Sequence, residues 1–170
     1  MKQLIVIIGP NAVGKTTTAK WMVEKLPQTA YVDSDWCRCM NPFLLTDITK
    51  EIVKENIYCL LNNYLTCVEI DTVVFTYSWH GGRKEIYDRV IKQLRNDGIE
   101  FVENIIVLKC SEEENVRRAV EDNRDEKRIE RGIKNTFSLY NEFEYPCVDT
   151  TSMNTGEVVE QILRIVDIQR

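Results

Sequence analysis

Gly9-Pro10-Asn11-Ala12-Val13-Gly14-Lys15-Thr16 decides the reading of this chain. It fits G-x-x-x-x-G-K-[ST], the spacing of a phosphate-binding loop. The apolar run Leu4-Ile5-Val6-Ile7-Ile8 precedes it and reads as a fully buried parallel strand. Residues 17–26 follow it and read as a helix that stops before Pro27. Strand, glycine loop and helix are the context such a loop requires.

Each position has a physical reason. Gly9 and Gly14 let the backbone bend so that successive N–H groups face one point, and the helix behind them adds its positive end. Gly9, Asn11, Ala12, Val13, Gly14, Lys15, Thr16 and Thr17 are therefore candidate contacts to a polyphosphate. Lys15 can reach the β- and γ-phosphates, and the Thr16 hydroxyl can coordinate Mg²⁺. The expected ligands are ATP and Mg²⁺.

The 170 residues are enough for one domain with a proper core, and 44% apolar with 29% charged residues describes a globular chain. A net charge of −5 argues against a nucleic-acid or anionic-membrane partner. No apolar run approaches membrane-spanning length, and the N-terminus enters the first strand at once, so a cytoplasmic monomer or homodimer is expected. The six cysteines form no C-x-x-C pair, and a single histidine, His80, rules out a multi-histidine metal site. Cys59, Cys67, Cys110 and Cys147 lie in or beside apolar segments and are expected to be small buried hydrophobes.

Strands and helices alternate along the rest of the chain, which argues for an α/β fold with a parallel sheet. Further strands are expected at 29–33, 72–77, 104–109 and 146–149. A helix is expected over 47–64, with Ile48, Ile52, Val53, Ile57, Leu60, Leu61 and Tyr64 at helical spacing and Thr46 or Asp47 as its cap. Others are expected over 83–96, from Ser111 onward, and from about 155 through Val166.

Neither the third nor the fourth strand ends in the acidic residue that typically holds Mg²⁺ in an NTP hydrolase. The acids instead follow the second strand, as Asp33-Ser34-Asp35. No N-K-x-D sequence is present, which argues against a GTPase. In a parallel sheet the end of the second strand opens on the same edge as the loop, so a carboxylate there could reach a hydroxyl aimed at the γ-phosphorus. The plainer alternative makes Asp35 or Ser34 only a helix cap.

The loop, the Asp-x-Asp after the second strand and the arginine-rich segment 117–131 together resemble the small P-loop kinases, nearest to the shikimate kinase-like group with gluconate kinase and chloramphenicol phosphotransferase. The resemblance covers most of the chain. It implies one three-layer α/β/α P-loop NTPase domain over residues 1–170, with five parallel strands in order 2-3-1-4-5. It also implies transfer of the ATP γ-phosphate to a hydroxyl of a small molecule. By that resemblance Asp33 assists the metal through water, and Asp35 orients or deprotonates the acceptor hydroxyl. Segment 117–131 becomes a short lid, with two of Arg117, Arg124 and Arg128 on the nucleotide. Guanidinium groups suit that task because they are planar and permanently charged. The alternative is a solvated helix whose Arg and Glu residues pair along its face. The turn 149–152 is implied beside the adenine.

The acceptor is expected between Asp35, Trp36, Arg38 and Phe43 on one side and the turn 78–83 on the other. Trp79 could stack on a flat substrate, and Arg38 or Arg83 could hold an anionic one; the alternative makes Trp36 and Trp79 packing residues. The chain departs from shikimate kinases: it has only Gly81-Gly82 where they resemble one another in a glycine triplet, and no arginine just before Tyr140 or Tyr145. Shikimate is therefore not the expected acceptor. A nucleoside or nucleoside-monophosphate kinase, and a nucleotide-binding regulator without phosphotransfer, remain the competing readings.

Overall fold

The computed structural model describes residues 1–167. Its centre is β1 (Lys2–Ile8), in which Leu4 through Ile8 are fully buried. Parallel partners flank it on both sides: β3 (Thr72–Thr76) on one and β4 (Phe101–Lys109) on the other. β2 (Thr29–Asp33) joins β3, and β5 (Cys147–Asp149) joins β4, so the order is β2-β3-β1-β4-β5. This is the three-layer arrangement and strand order expected of a P-loop NTPase domain.

Alternation along β1 divides the core in two. Leu4, Val6 and Ile8 face α2 (Asp47–Thr66) and α3 (Arg83–Asn96), packing with Val53, Ile57, Leu61, Val90 and Leu94. Ile5 and Ile7 face the other layer, with Ala19 and Met22 of α1 (Lys15–Lys25) and Val159 and Ile162 of α6 (Thr155–Ile165). Two short helices, α4 (Glu112–Glu121) and α5 (Glu126–Gly132), lie between β4 and β5 in the chain. Domain positions 168–170 lie outside the described residues.

Several local expectations are corrected. The buried stripe of α2 is Val53, Ile57, Leu61 and Leu65, spaced by four, whereas Ile48 is 76% and Ile52 45% exposed. Cys59 lies two residues past Ile57, off that stripe, and is exposed. Cys147 opens edge strand β5 and is exposed as well; Cys110 is buried and Cys67 partly so. Helix α1 begins at Lys15, inside the loop motif, which puts both Lys15 and Thr16 in its first turn.

Four helices are capped by their own residues: α2 by Thr46, α4 by Ser111, α5 by Asp125 and α6 by Asn154. Helices α1 and α3 have no side-chain cap and begin after Gly14 and Gly82, both left-handed. Gly9 is the tightest glycine. Its φ is +151°, and a Cβ there would meet the Leu108 carbonyl oxygen at 2.5 Å and Val13 Cγ1 at 3.0 Å. At Gly82 nothing lies within 4 Å. Gly9→Ala should therefore lower unfolding free energy by about 2–4 kcal/mol, and Gly82→Ala, which meets only the left-handed backbone penalty, by about 1 kcal/mol. Urea unfolding of both variants checks this; equal losses would refute the close contact at Gly9.

Candidate active site

The loop between β1 and α1 is held open by claims on its carbonyls. Lys15 Nζ donates to the Gly9 and Pro10 oxygens, each at 2.8 Å. Asn115 Nδ2 donates to the Asn11 oxygen at 2.8 Å, Arg118 Nη1 to the Val13 oxygen at 3.0 Å, and the Thr18 N–H to the Gly14 oxygen at 2.9 Å. Ala12 adopts a left-handed φ of 63°. Among the described residues no protein acceptor meets the backbone N–H groups of residues 11–17. A helix start without a side-chain cap, preceded by a run of unclaimed N–H groups, is an anion cradle. It opens on a cavity of about 480 Å³ lined by Asn11, Ala12, Gly14, Lys15, Thr16 and Thr17.

The acidic pair forms the opposite wall. Register places Asp33 beside Thr76 at the carboxyl edge of the sheet. Asp33 is buried, and its Oδ2 accepts from Thr16 Oγ1 at 3.3 Å and from Tyr31 Oη at 2.5 Å. Its Oδ1 accepts the Asp35 N–H at 2.9 Å. Burial, then the bond to Asp33, pushes the Tyr31 phenol far up, so it stays protonated and can only steady that carboxylate. The role that an acid at the end of the third strand would fill is thus open to Asp33 from the second. Asp35 begins the short 3₁₀ turn Trp36–Arg38 without capping it, and its side chain is 70% exposed to the cavity and solvent. Among the described residues its ion pair is with Arg38.

Lys15 feels both carboxylates. Burial lowers its ammonium to about 8, against the raising fields of Asp35 and Asp33 and with a further lowering from Arg124. The two carbonyls of its own loop accept its hydrogen bonds.

The arginines fall differently from the expectation. Arg117 turns outward and pairs with Glu114 and Glu121 along the exposed face of α4, away from the cavity. Arg128 is exposed on α5 and does not line the cavity. Arg124 does line it, bonded to Asp122 at 3.0 Å. Arg118, which the sequence reading passed over, stands against the loop: it also donates to Thr150 Oγ1 at 2.8 Å and to the Thr150 oxygen at 2.7 Å. Helical phase explains the difference. The inner face of α4 is marked by Asn115 and Ala119, both buried, and Arg118 neighbours them while Arg117 does not. Two small or polar buried residues four apart were the available signal.

Arg118 and Thr150 also border a second hollow of about 270 Å³, with Gly14, Thr17, Met153 and Asn154. It continues from the loop toward the turn after β5, on the side where an adenine was expected.

At the other end, Arg38, Tyr77 and Ser78 close the cavity. Trp79 is a packing residue: it is 4% exposed, edge-on to Phe143 and Tyr145 and tilted against Tyr87. Phe43 packs against the core, whereas Trp36 is 57% exposed with its ring edge-on to Tyr31. Among the described residues no helix is long and apolar enough to cross a membrane, and no group of three or more His, Cys, Asp or Glu residues could hold a metal ion alone.

Known proteins with this architecture are numerous. The chain is similar to the structure of the Deinococcus radiodurans tunicamycin resistance protein, at TM-score 0.68 and 18% identity over 99% of this chain and 98% of that one. It is similar to a gluconokinase from Sinorhizobium meliloti 1021, at TM-score 0.64 and 14% identity over 95% and 90% of the two chains. A shikimate kinase from Acinetobacter baumannii, solved with shikimate, matches at TM-score 0.60 and 17% identity over 98% and 93%. These identities establish a shared fold. A comparison with curated protein sequences finds no match. The family described as AAA domain matches residues 5–139, from the first strand to beyond the arginine segment. With well over half of its length matched, the chain belongs to the AAA domain family and has the fold of the small P-loop kinases.

Proposed function

We propose that this protein transfers the γ-phosphoryl group of ATP to a hydroxyl of a small molecule. The observation that carries the reading is the Asp35 carboxylate, exposed on the same cavity as Lys15 and the uncapped start of α1 and not used as a helix cap. A protein that only bound nucleotide would need the cradle and no free carboxylate opposite it.

Residues 1–170 then act as one kinase domain, with 117–131 as the arginine-bearing segment over the phosphates. The N–H groups of residues 11–17 and the Lys15 ammonium take the polyphosphate oxygens. Arg118 and Arg124 supply the cationic contacts proposed for the lid, and Thr150 and its neighbours border the base. Thr16 and Asp33 fit Mg²⁺: both offer hard oxygen, and the Thr16 hydroxyl that donates to Asp33 keeps lone pairs free. When bound, Mg²⁺ would neutralise phosphate charge there, held by Thr16 with Asp33 behind it. Asp35 accepts the proton of the acceptor hydroxyl; that oxygen bonds to the γ-phosphorus as the bond to the leaving ADP breaks. The ion pair with Arg38 fixes the direction of the Asp35 carboxylate.

Asp35→Asn should cut turnover by about 10²–10⁴-fold while changing Mg·ATP affinity less than about threefold. ADP release over a panel of sugars, amino alcohols, nucleosides and antibiotics measures the first, and calorimetry the second. Undiminished turnover would remove Asp35 from the chemistry.

Lys15 sets a pH limit. In the free site it titrates near 8, and bound phosphate raises that value. Below about 8 it already carries its proton, and binding takes up none. Above about 8 binding must draw a proton from solvent, so ATP affinity should fall as pH rises, by at most about tenfold per unit. Calorimetry near pH ~9 in two buffers of different ionisation enthalpy should show proton uptake, and Lys15→Met should abolish it. Affinity that stays flat between about pH 7 and 9 would refute this.

A further inference from the structure

Arg38 and Tyr77 line the acceptor end of the cavity, and buried donors at that end and within electrostatic reach of it lack acceptors. The Tyr77 hydroxyl is buried and has no hydrogen-bond partner, and Tyr77 itself is 1% exposed. Arg38 uses Nη2 on Asp35, but its Nη1 is buried and unpaired. His80 shows the same lack once its tautomer is worked out. Arg83 Nη1 lies 2.6 Å from His80 Nε2. A guanidinium can only donate, so Nε2 is the acceptor and the ring proton sits on Nδ1. His80 Nδ1 is buried and unpartnered.

The electrostatics agree with the hydrogen bonding. The charges of Arg38 and Arg83 both reach the Tyr77 phenol and the His80 ring. Burial, then Arg83, then Arg38, hold His80 down at about 4, so the ring is neutral at physiological pH. Asp35 answers Arg38, whereas among the described residues Arg83 has no carboxylate within ion-pair distance; its bond to His80 is to a neutral ring. Helix α3 begins at Arg83 with no side-chain cap. Buried polar groups are ordinarily paired, and an unpaired buried donor is costly. Here three such donors and a guanidinium without a counter-ion lie within electrostatic reach of one another. A water molecule brings two donors of its own and no charge. A nucleobase edge or a sugar hydroxyl brings donors as well as acceptors. An oxyanion is acceptor-only, carries the missing charge and matches the guanidinium fork.

We propose that the phosphate acceptor carries an oxyanion, a carboxylate or a phosphate, seated between Arg38 and Arg83 and bonded by Tyr77 Oη and His80 Nδ1. The proposal rests on the phosphotransfer reading only in calling this molecule the acceptor. It leaves the Asp35 carboxylate free for the hydroxyl at the other end of the same molecule, because two like charges would not share a contact.

His80 is the single histidine, so its imidazole NMR signals report this corner unambiguously. The protein is first saturated with Mg²⁺ and a non-hydrolysable ATP analogue, which occupies the phosphate loop. It is then titrated with glycerol, glycerate and glycerol 3-phosphate, which share one scaffold and differ in charge. At least one anion should shift the His80 resonances with half-saturation about tenfold or more below that of glycerol. Whichever anion binds tighter identifies carboxylate or phosphate as the natural group. Arg83→Gln should weaken that anion about tenfold or more, and Arg83→Lys, which keeps the charge without the fork, by less. ATP-analogue affinity should stay within about twofold in both, which also shows that the variants are folded. Equal response to all three probes, no response to either anion, or unchanged anion affinity in both Arg83 variants would overturn the proposal. Anion binding with no ADP release from any alcohol would reject phosphotransfer and keep this site. Release from neutral alcohols, with no anion preference at His80, would reject this site alone.

Discussion

Everything at the carboxyl edge of the sheet depends on where the carbonyls of residues 9–14 point. A backbone segment that offers its N–H groups to a ligand must first dispose of its own oxygens. Five of the six are claimed: Lys15 takes those of Gly9 and Pro10, Asn115 that of Asn11, Arg118 that of Val13, and helix α1 that of Gly14 through Thr18. The loop is therefore tied to α4, a hundred residues away in sequence, as firmly as to α1. Gly9 packs so tightly against the Leu108 carbonyl that a side chain would not fit, which anchors the start of the loop to the end of β4. The same bonds that shape the loop decide which face of α4 looks inward, and hence which of its arginines stands at the cavity.

That dependence explains what the sequence disclosed and what it withheld. Local signals were strong where one element settles its own form. The five apolar runs became five strands, and Arg83 to Asn96 became α3 with the expected ends. The strand order came through likeness to the small P-loop kinases, because no single strand encodes its neighbours. Arg117 and Arg118 differ by one position, about 100° of helix, and what separates them is the inward face set by Asn115 on the loop and by buried Ala119. Trp79 was equally ambiguous. Its burial arises from Phe143 and Tyr145, and from a Tyr140 hydroxyl that accepts its N–H at 2.9 Å, all some sixty residues downstream. The apolar spacing of α2 fitted two faces, and the sheet chose the one through Val53 and Ile57.

Among the described residues the α-helix starts left without a side-chain cap are not scattered. Four helices complete their first turns with side chains from Thr, Ser, Asp or Asn, and their N-termini need nothing further. The two that lack a side-chain cap, α1 and α3, follow β1 and β3, adjacent strands at the centre of a parallel sheet. Ligands of such sheets gather beyond the carboxyl ends of their strands. The edge strand β2, on the far side of β3 from β1, brings Asp33 and Asp35 to the wall of the same cavity. The cavity is thus donor-rich at both ends and acceptor-rich in the middle. An anion suits each end, and a hydroxyl, which must give up a proton, suits the centre. A molecule with charge at one extremity and an alcohol at the other fits that pattern in one orientation only, with its hydroxyl beside Asp35 and toward Lys15. Direction of transfer would then follow from the arrangement of donors and acceptors in the free protein, before any lid movement. On that proposal the exposed Asp35 carboxylate, between the phosphate loop and the Arg38 end of the cavity, is what would turn a polyphosphate cradle into a site with a direction.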